Sequence, residues 1–118
     1  MRVLTLIKHS EQLGEPPASL WEEMERSLPE IDATIKLLDT GGLLPSAVSA
    51  AVVRSSGGRS TVLDGPFTEA KELVGGYSIC EVDTFEQAVE AARKFIAIHE
   101  RGWPGWSGEA EVRQIAAD

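Results

Sequence analysis

Residues 3 to 7 read VLTLI, and they constrain the fold more than any other stretch of the chain. At a strand's period of two, Leu4 and Leu6 point to one side while Val3 and Ile7 point to the other with Thr5 between them. Both faces of this strand therefore have to be covered. A chain of 118 residues, 42% hydrophobic and 25% charged, has the size and composition of one domain spanning residues 1–118. It buries one core with little surplus, so a ligand pocket is more easily built between elements or subunits than inside that core.

Ser19 with Glu22 has the form of a capping box, and Trp21, Met24, Leu28, Ile31, Ile35 and Leu38 follow at gaps of three and four. The spacing predicts an amphipathic helix running to about Thr40, kinked at Pro29 and stopped by Gly41 and Gly42. Residues 47–54 and 60–64 flank the segment SSGGR, which predicts a β-hairpin. Residues 76–82 form the next strand. Asp83 with Glu86 caps a second helix whose Phe85, Ala88, Val89, Ala92, Phe95 and Ile96 share a face. The loop GWPGWSG leads to a last strand, EAEVRQIA. The order β-α-β-β-β-α-β predicts an α+β fold of the ferredoxin-like kind, with both helices on one face of a single antiparallel sheet. The other face is left open. Because the first strand is apolar there too, we expect a homodimer made by sheet-to-sheet packing, with clefts near its interface.

The charge is lopsided, with 19 acidic residues against 11 basic ones and a net charge of -8. No run of Lys or Arg can track a phosphate backbone, which argues against direct binding of nucleic acid. The single cysteine, Cys80, has no intrachain partner, and no Cys/His spacing suits a metal, so a reducing compartment fits best. The N-terminus MRVLTLIKHS is too short in apolar residues for a signal segment, and no stretch approaches membrane-spanning length. The expectation is a soluble, cytoplasmic protein without membrane association. Phosphate-loop, nucleophile-elbow and triad patterns are absent, so no cofactor is expected.

Residues 64–77, DGPFTEAKELVGGY, carry more chemistry than a turn requires. Asp64, Gly65 and Pro66 suit a sharp turn, a short helix is expected from about Pro66, and Gly75 with Gly76 ends it. Asp64 is either a cap for backbone donors of this turn or a carboxylate tuned for acid/base work. Lys71 could hold an anionic ligand group, with Glu72 beside it. Tyr77 is amphipathic, suited to orienting a ligand or to an interface. Lys8 and His9 end the first strand, which should run antiparallel to residues 76–82 and so bring them near Gly76 and Tyr77. His99 continues the phase of Ala92 and Ile96 at a helix C-terminus, where a cationic imidazole is favoured, and is left out of the site. Trp103 and Trp106 suit either a lid over an apolar cleft or packing. Cys80 reads as a small buried hydrophobe.

DGPFTEAKE followed by GGY, downstream of a Gly-rich hairpin and upstream of DTFEQA, resembles the DGPF-domain proteins of the YCII-related family, and the likeness runs from MRVLTLIK through EAEVRQI. The resemblance implies a dimeric α/β barrel of ferredoxin-like subunits. For activity it implies little: a His and Asp pair proposed as the active site in some members, lyase-like chemistry in one branch, and a genomic association with extracytoplasmic-function sigma factors. Asp64 matches the signature aspartate, whereas His9 is the nearest counterpart of the family histidine and the first helix holds none. The resulting expectation is a homodimer that binds a small anionic or polar aromatic metabolite in a cleft near residues 64–77, with cofactor-free proton-transfer or lyase-like activity. Asp64 and His9 would be its catalytic pair, and Lys8, Phe67, Lys71 and Tyr77 its ligand contacts. The alternative is a non-catalytic regulatory protein that meets a sigma factor.

Overall fold

A computed structural model describes residues 1–70 and 72–117. The doubly apolar strand, β1 (Arg2–His9), lies inside a four-stranded sheet, where central position gives it two neighbours. On one side it pairs with β5 (Leu73–Glu81) and on the other with β6 (Gly108–Gln114), both antiparallel. Beyond β5 lies β2 (Lys36–Gly42), giving the order β2-β5-β1-β6. Two helices, α1 (Ala18–Asp32) and α2 (Phe85–Gly102), complete a β-α-β-β-α-β frame of ferredoxin-like type.

Strand alternation decides what is buried. Val3, Thr5 and Ile7 are buried under the helices, where Val3 faces Cys80 across the ladder and packs with Val82 and Ala88. Leu4 and Leu6 turn to the opposite face and remain half-buried there. A second apolar cluster joins the helices to each other through Leu20, Ile31, Ala91, Ile98 and Trp103. Helix α2 lies on β6 and β1, whereas α1 makes its main backbone approach to α2. Helix α1 is thus held by its neighbour more than by the sheet. Among the described residues no helix is long and apolar enough to cross a membrane.

Four sequence expectations need correction. Helix α1 stops at Asp32: Ala33 N–H bonds back to Pro29 O, and Thr34 turns both its N–H and its hydroxyl onto Ile31 O. The segment expected to continue it is strand β2, because Ile35 and Leu37 alternate with Lys36 as well as Ile35 and Leu38 fit a helical gap, and the ladder with β5 decides between them. Ser19 is not a cap. Pro17 occupies that position without a side-chain bond, and the Ser19 hydroxyl donates instead to Gly102 O at 2.6 Å, tying the two helices together. Helix α2 is capped one residue later than expected, by a reciprocal Thr84/Gln87 box.

The fourth correction concerns the hairpin. Among the described residues, strands β3 (Ala51–Ser56) and β4 (Arg59–Asp64) pair only with each other, as a separate two-stranded sheet. Gly57 and Gly58 join them at φ 59° and 79°, both positive, as the tight turns favoured in two-residue hairpins require. Its paired Val53 and Val62 are 71% and 65% exposed. This arm leaves the radius of gyration at 15.8 Å, against about 13–14 Å for a compact chain of this length.

Candidate functional site

With α1 held off the sheet, a cavity of about 430 Å³ opens between them. Its walls are mostly apolar, including Ile7 from β1, Leu20, Met24, Leu28 and Ile31 from α1, Ile35, and Phe95 from α2. Thr5, Ser78, His9 and His99 add polar groups, which is the composition of a small-molecule pocket.

His9 is placed here by strand period, being on the helix-facing side with Thr5 and Ile7. A bulge where Ile7 pairs with Gly76 and Lys8 with Val74 leaves Gly75 without a β1 partner beneath its ring, its carbonyl accepting instead from Leu43 N–H. A Cβ at Gly75 would lie 2.7 Å from His9 Cε1, so the ring sits where only glycine leaves room. Trp106 Nε1–H donates to His9 Nδ1 at 3.2 Å, and Trp103 meets the ring edge-on at 5.5 Å between centroids. An indole nitrogen can only donate, so His9 in its neutral form carries its proton on Nε2.

His99 is the residue that sequence reasoning set aside. It is 4% exposed, and its Nδ1–H donates to Phe95 O, four residues earlier, at 3.0 Å. In the neutral ring Nε2 is therefore the acceptor. Its centroid lies 4.8 Å from that of Trp106, which also touches His9. Burial pushes the pKa of both imidazoles down, and the neighbouring His99 lowers that of His9 further. The cationic, dipole-bound His99 expected from its position at the helix end gives way to a neutral one, because burial disfavours the charge. The signal available in the sequence was the Phe95/His99 spacing of four on an apolar helical face.

Of the remaining candidates, Tyr77 borders the cavity through its place on β5, whereas Lys8, Asp64 and Phe67 lie elsewhere. Lys8 points to the opposite face of the sheet, where it is ion-paired with Glu111; that contact raises the lysine pKa and lowers the glutamate's. The Tyr77 side chain shares that face, its ring against Gly41 and its hydroxyl donating to Asp39 at 3.0 Å, which raises its pKa. Glu72, beside this group, has its carboxyl pKa raised by a hydrogen bond to Glu109. Lys8 and His9, adjacent in sequence, thus serve different faces.

Asp64 ends β4, exposed and paired in the ladder with Ala51. The residues after it form a latch. Gly65 N–H donates to Ala50 O, the Gly65–Pro66 peptide is cis, and Phe67 N–H donates to the hydroxyl of buried Ser46. The Glu11 carboxylate in turn accepts from Ser46 N–H. A Cβ at Gly65 would meet Ser46 O at 2.1 Å. Residues 68–70 make a turn where a short helix was expected, and Lys71 lies outside the described residues. Among the described residues no cluster of His, Cys, Asp and Glu is arranged to hold a metal ion.

Comparison with known proteins agrees with the family likeness. Residues 1–100 match the model of the YCII-related domain. An uncharacterized protein of Rhizobium meliloti (strain 1021) is 32% identical over 110 residues, which cover 86% of this chain and 85% of that protein. By the extent of these matches, the chain belongs to the YCII-related family.

Proposed function

We propose that the protein is a homodimer that binds a small, mostly apolar molecule between its helices and its sheet. His9 would hold the polar end of that molecule and exchange a proton with it. The observation that carries this reading is the cavity itself. A cleft of about 430 Å³ with mostly apolar walls and a few convergent polar groups has the make-up of a small-molecule site, and an apolar occupant would cover surface that water now wets. The acid/base chemistry proposed needs only an imidazole, and it moves the centre of the site from Asp64 to His9. Asp64 and Phe67 then serve the fold of the loop, and Lys8 and Tyr77 serve the outer sheet face.

The homodimer is supported by that outer face, where Leu4, Leu6, Tyr77 and Ile79 are half-exposed side by side, and by the apolar hairpin. An isolated two-stranded hairpin is marginally stable in water, so this arm favours a protein partner. A second copy meets that need, and a sigma factor is the alternative. Light scattering separates them: a dimer that Leu6→Glu dissociates supports the first, whereas a monomer that captures a purified sigma factor supports the regulatory reading.

The cavity reading is tested by a thermal-shift screen of small molecules on the wild type and on Met24→Trp, which fills the space. A ligand at 100 times its Kd stabilises by about 2.7 kcal/mol, and Met24→Trp should abolish that shift. Hits that shift both proteins equally would count against the cavity.

A further inference from the structure

We infer that the cavity takes an uncharged aromatic or conjugated carbonyl compound and that His99 and His9 together catalyse its tautomerisation, with His99 Nε2 as base and His9 Nε2–H as the hydrogen-bond donor to the carbonyl oxygen. This rests on the small-molecule reading above and deepens it. Two independent contacts set the polarity of the pair. Trp106 can only donate to His9 Nδ1, which puts the His9 proton on Nε2. Phe95 O can only accept from His99 Nδ1, which leaves the lone pair on its Nε2. Both rings line the same cavity and both touch Trp106, so one site presents a donor and an acceptor of fixed sense.

The lining also selects the substrate class. Among the described residues lining it there is no Lys or Arg, and its one carboxylate is Asp32. A carboxylate or phosphate carried into this space would lose its hydration without gaining a counter-charge, so the buried end of the ligand is neutral. The rings of Phe95 and Trp103 favour a flat molecule.

The proton balance closes without a co-reactant. His99 Nε2 takes a proton from the carbon next to the carbonyl, and the C–H electron pair moves into a carbon–carbon double bond while the carbonyl π pair moves to oxygen. The His9 N–H bonds the resulting enolate oxygen, as a neutral imidazole can. The imidazolium of His99 then returns the proton to oxygen, giving the enol, or to carbon, giving the ketone. In heavy water the second route replaces hydrogen by deuterium.

The experiment follows phenylacetone in buffered D2O by proton NMR, with wild type, His9→Asn, His99→Gln and His99→Phe, the last keeping a ring of similar bulk should the glutamine disturb folding. Binding is read separately, from shifts of the Phe95 and Trp103 signals. The wild type should bind and speed loss of the protons next to the carbonyl about 100-fold over buffer, the low end of acid–base catalysis, and each folded variant should return the rate to near the buffer value. Binding at the buffer rate, or exchange that survives loss of His99, overturns the proton-transfer proposal and leaves the cavity reading standing. Tighter binding of phenylpyruvate, the charged analogue, overturns the uncharged class. Failure of both probes to perturb the cavity signals overturns this proposal, and the cavity reading falls with it only if the thermal-shift screen also finds no ligand whose effect Met24→Trp abolishes.

Discussion

Gly65→Ala asks whether the DGPF turn is built for the fold. The new Cβ would meet Ser46 O at 2.1 Å, so the loop and the Ser46 segment must part by roughly 1 Å to reach a tolerable contact. Overpacking of this kind costs about 1–3 kcal/mol. The movement also strains two hydrogen bonds that hold the latch, Gly65 N–H to Ala50 O and Phe67 N–H to Ser46 Oγ, both 2.8 Å, each contributing about 0.5–1.5 kcal/mol. A total of about 2–6 kcal/mol should lower Tm by roughly 8–24 °C at this chain length. Gly42→Ala is the control, since its Cβ meets nothing within 4 Å, and it should melt within about 1 °C of wild type. Asp64→Asn, at an exposed position, should also change Tm little. Scanning calorimetry of the four proteins decides the matter. A Gly65→Ala protein that melts with the controls would refute the latch, and an Asp64→Asn protein that melts far lower would restore that carboxylate as a structural cap.

Two further outcomes are expected. Gly41→Ala puts a Cβ 2.9 Å from Tyr77 Cε1 and should cost about 1 kcal/mol by displacing the ring, a cost that vanishes in a Tyr77→Ala background; urea titrations of the double-mutant cycle measure it, and additive effects would deny the contact. The lowered pKa values of His9 and His99 mean that the folded chain binds fewer protons than the unfolded one below the ordinary histidine value of 6.5, so the stability they confer is complete above that pH and is lost as the pH falls toward their folded values. Urea midpoints at about pH 7.5 and 5.5 should show the loss, and His99→Phe should reduce it; equal midpoints in the wild type would mean that the imidazoles are not held neutral.

The sequence was most legible where two kinds of signal agreed. For β1, apolar residues on both faces implied that both need cover, and the helices cover the side of Val3, Thr5 and Ile7; for α2 the apolar face continued through His99 toward the end that the structure shows. The family likeness rested on residues that do organise the chain, since Gly65 and Phe67 are held in the latch. Legibility failed at residues 35–38, where IKLL satisfies both helical and strand spacing. Only the neighbour β5, over thirty residues away in sequence, selects the strand. The hairpin misled in the opposite way. Its local pattern was right, but the place beside β5 went to β2, a segment read as helix, and the hairpin's two strands pair as a sheet of their own.

The same distinction separates the two halves of the candidate site. His9 was legible because a strand's period fixes the face of its last residue, yet that period also parts it from Lys8, with which it had been grouped. His99 was readable as part of an apolar helical face, but whether such a histidine is a solvated cation or a buried neutral base depends on what closes over the helix end. Here Trp106 does so, from a loop whose sequence, GWPGWSG, equally suited a lid. One indole therefore links the two imidazoles: it donates to His9 and shields His99, so the hydrogen bond that fixes one tautomer comes from the ring that helps to keep the other neutral. A site assembled in this way has no linear motif to find. Its polarity is written in contacts between residues 9, 95, 99 and 106, which only the folded chain brings together.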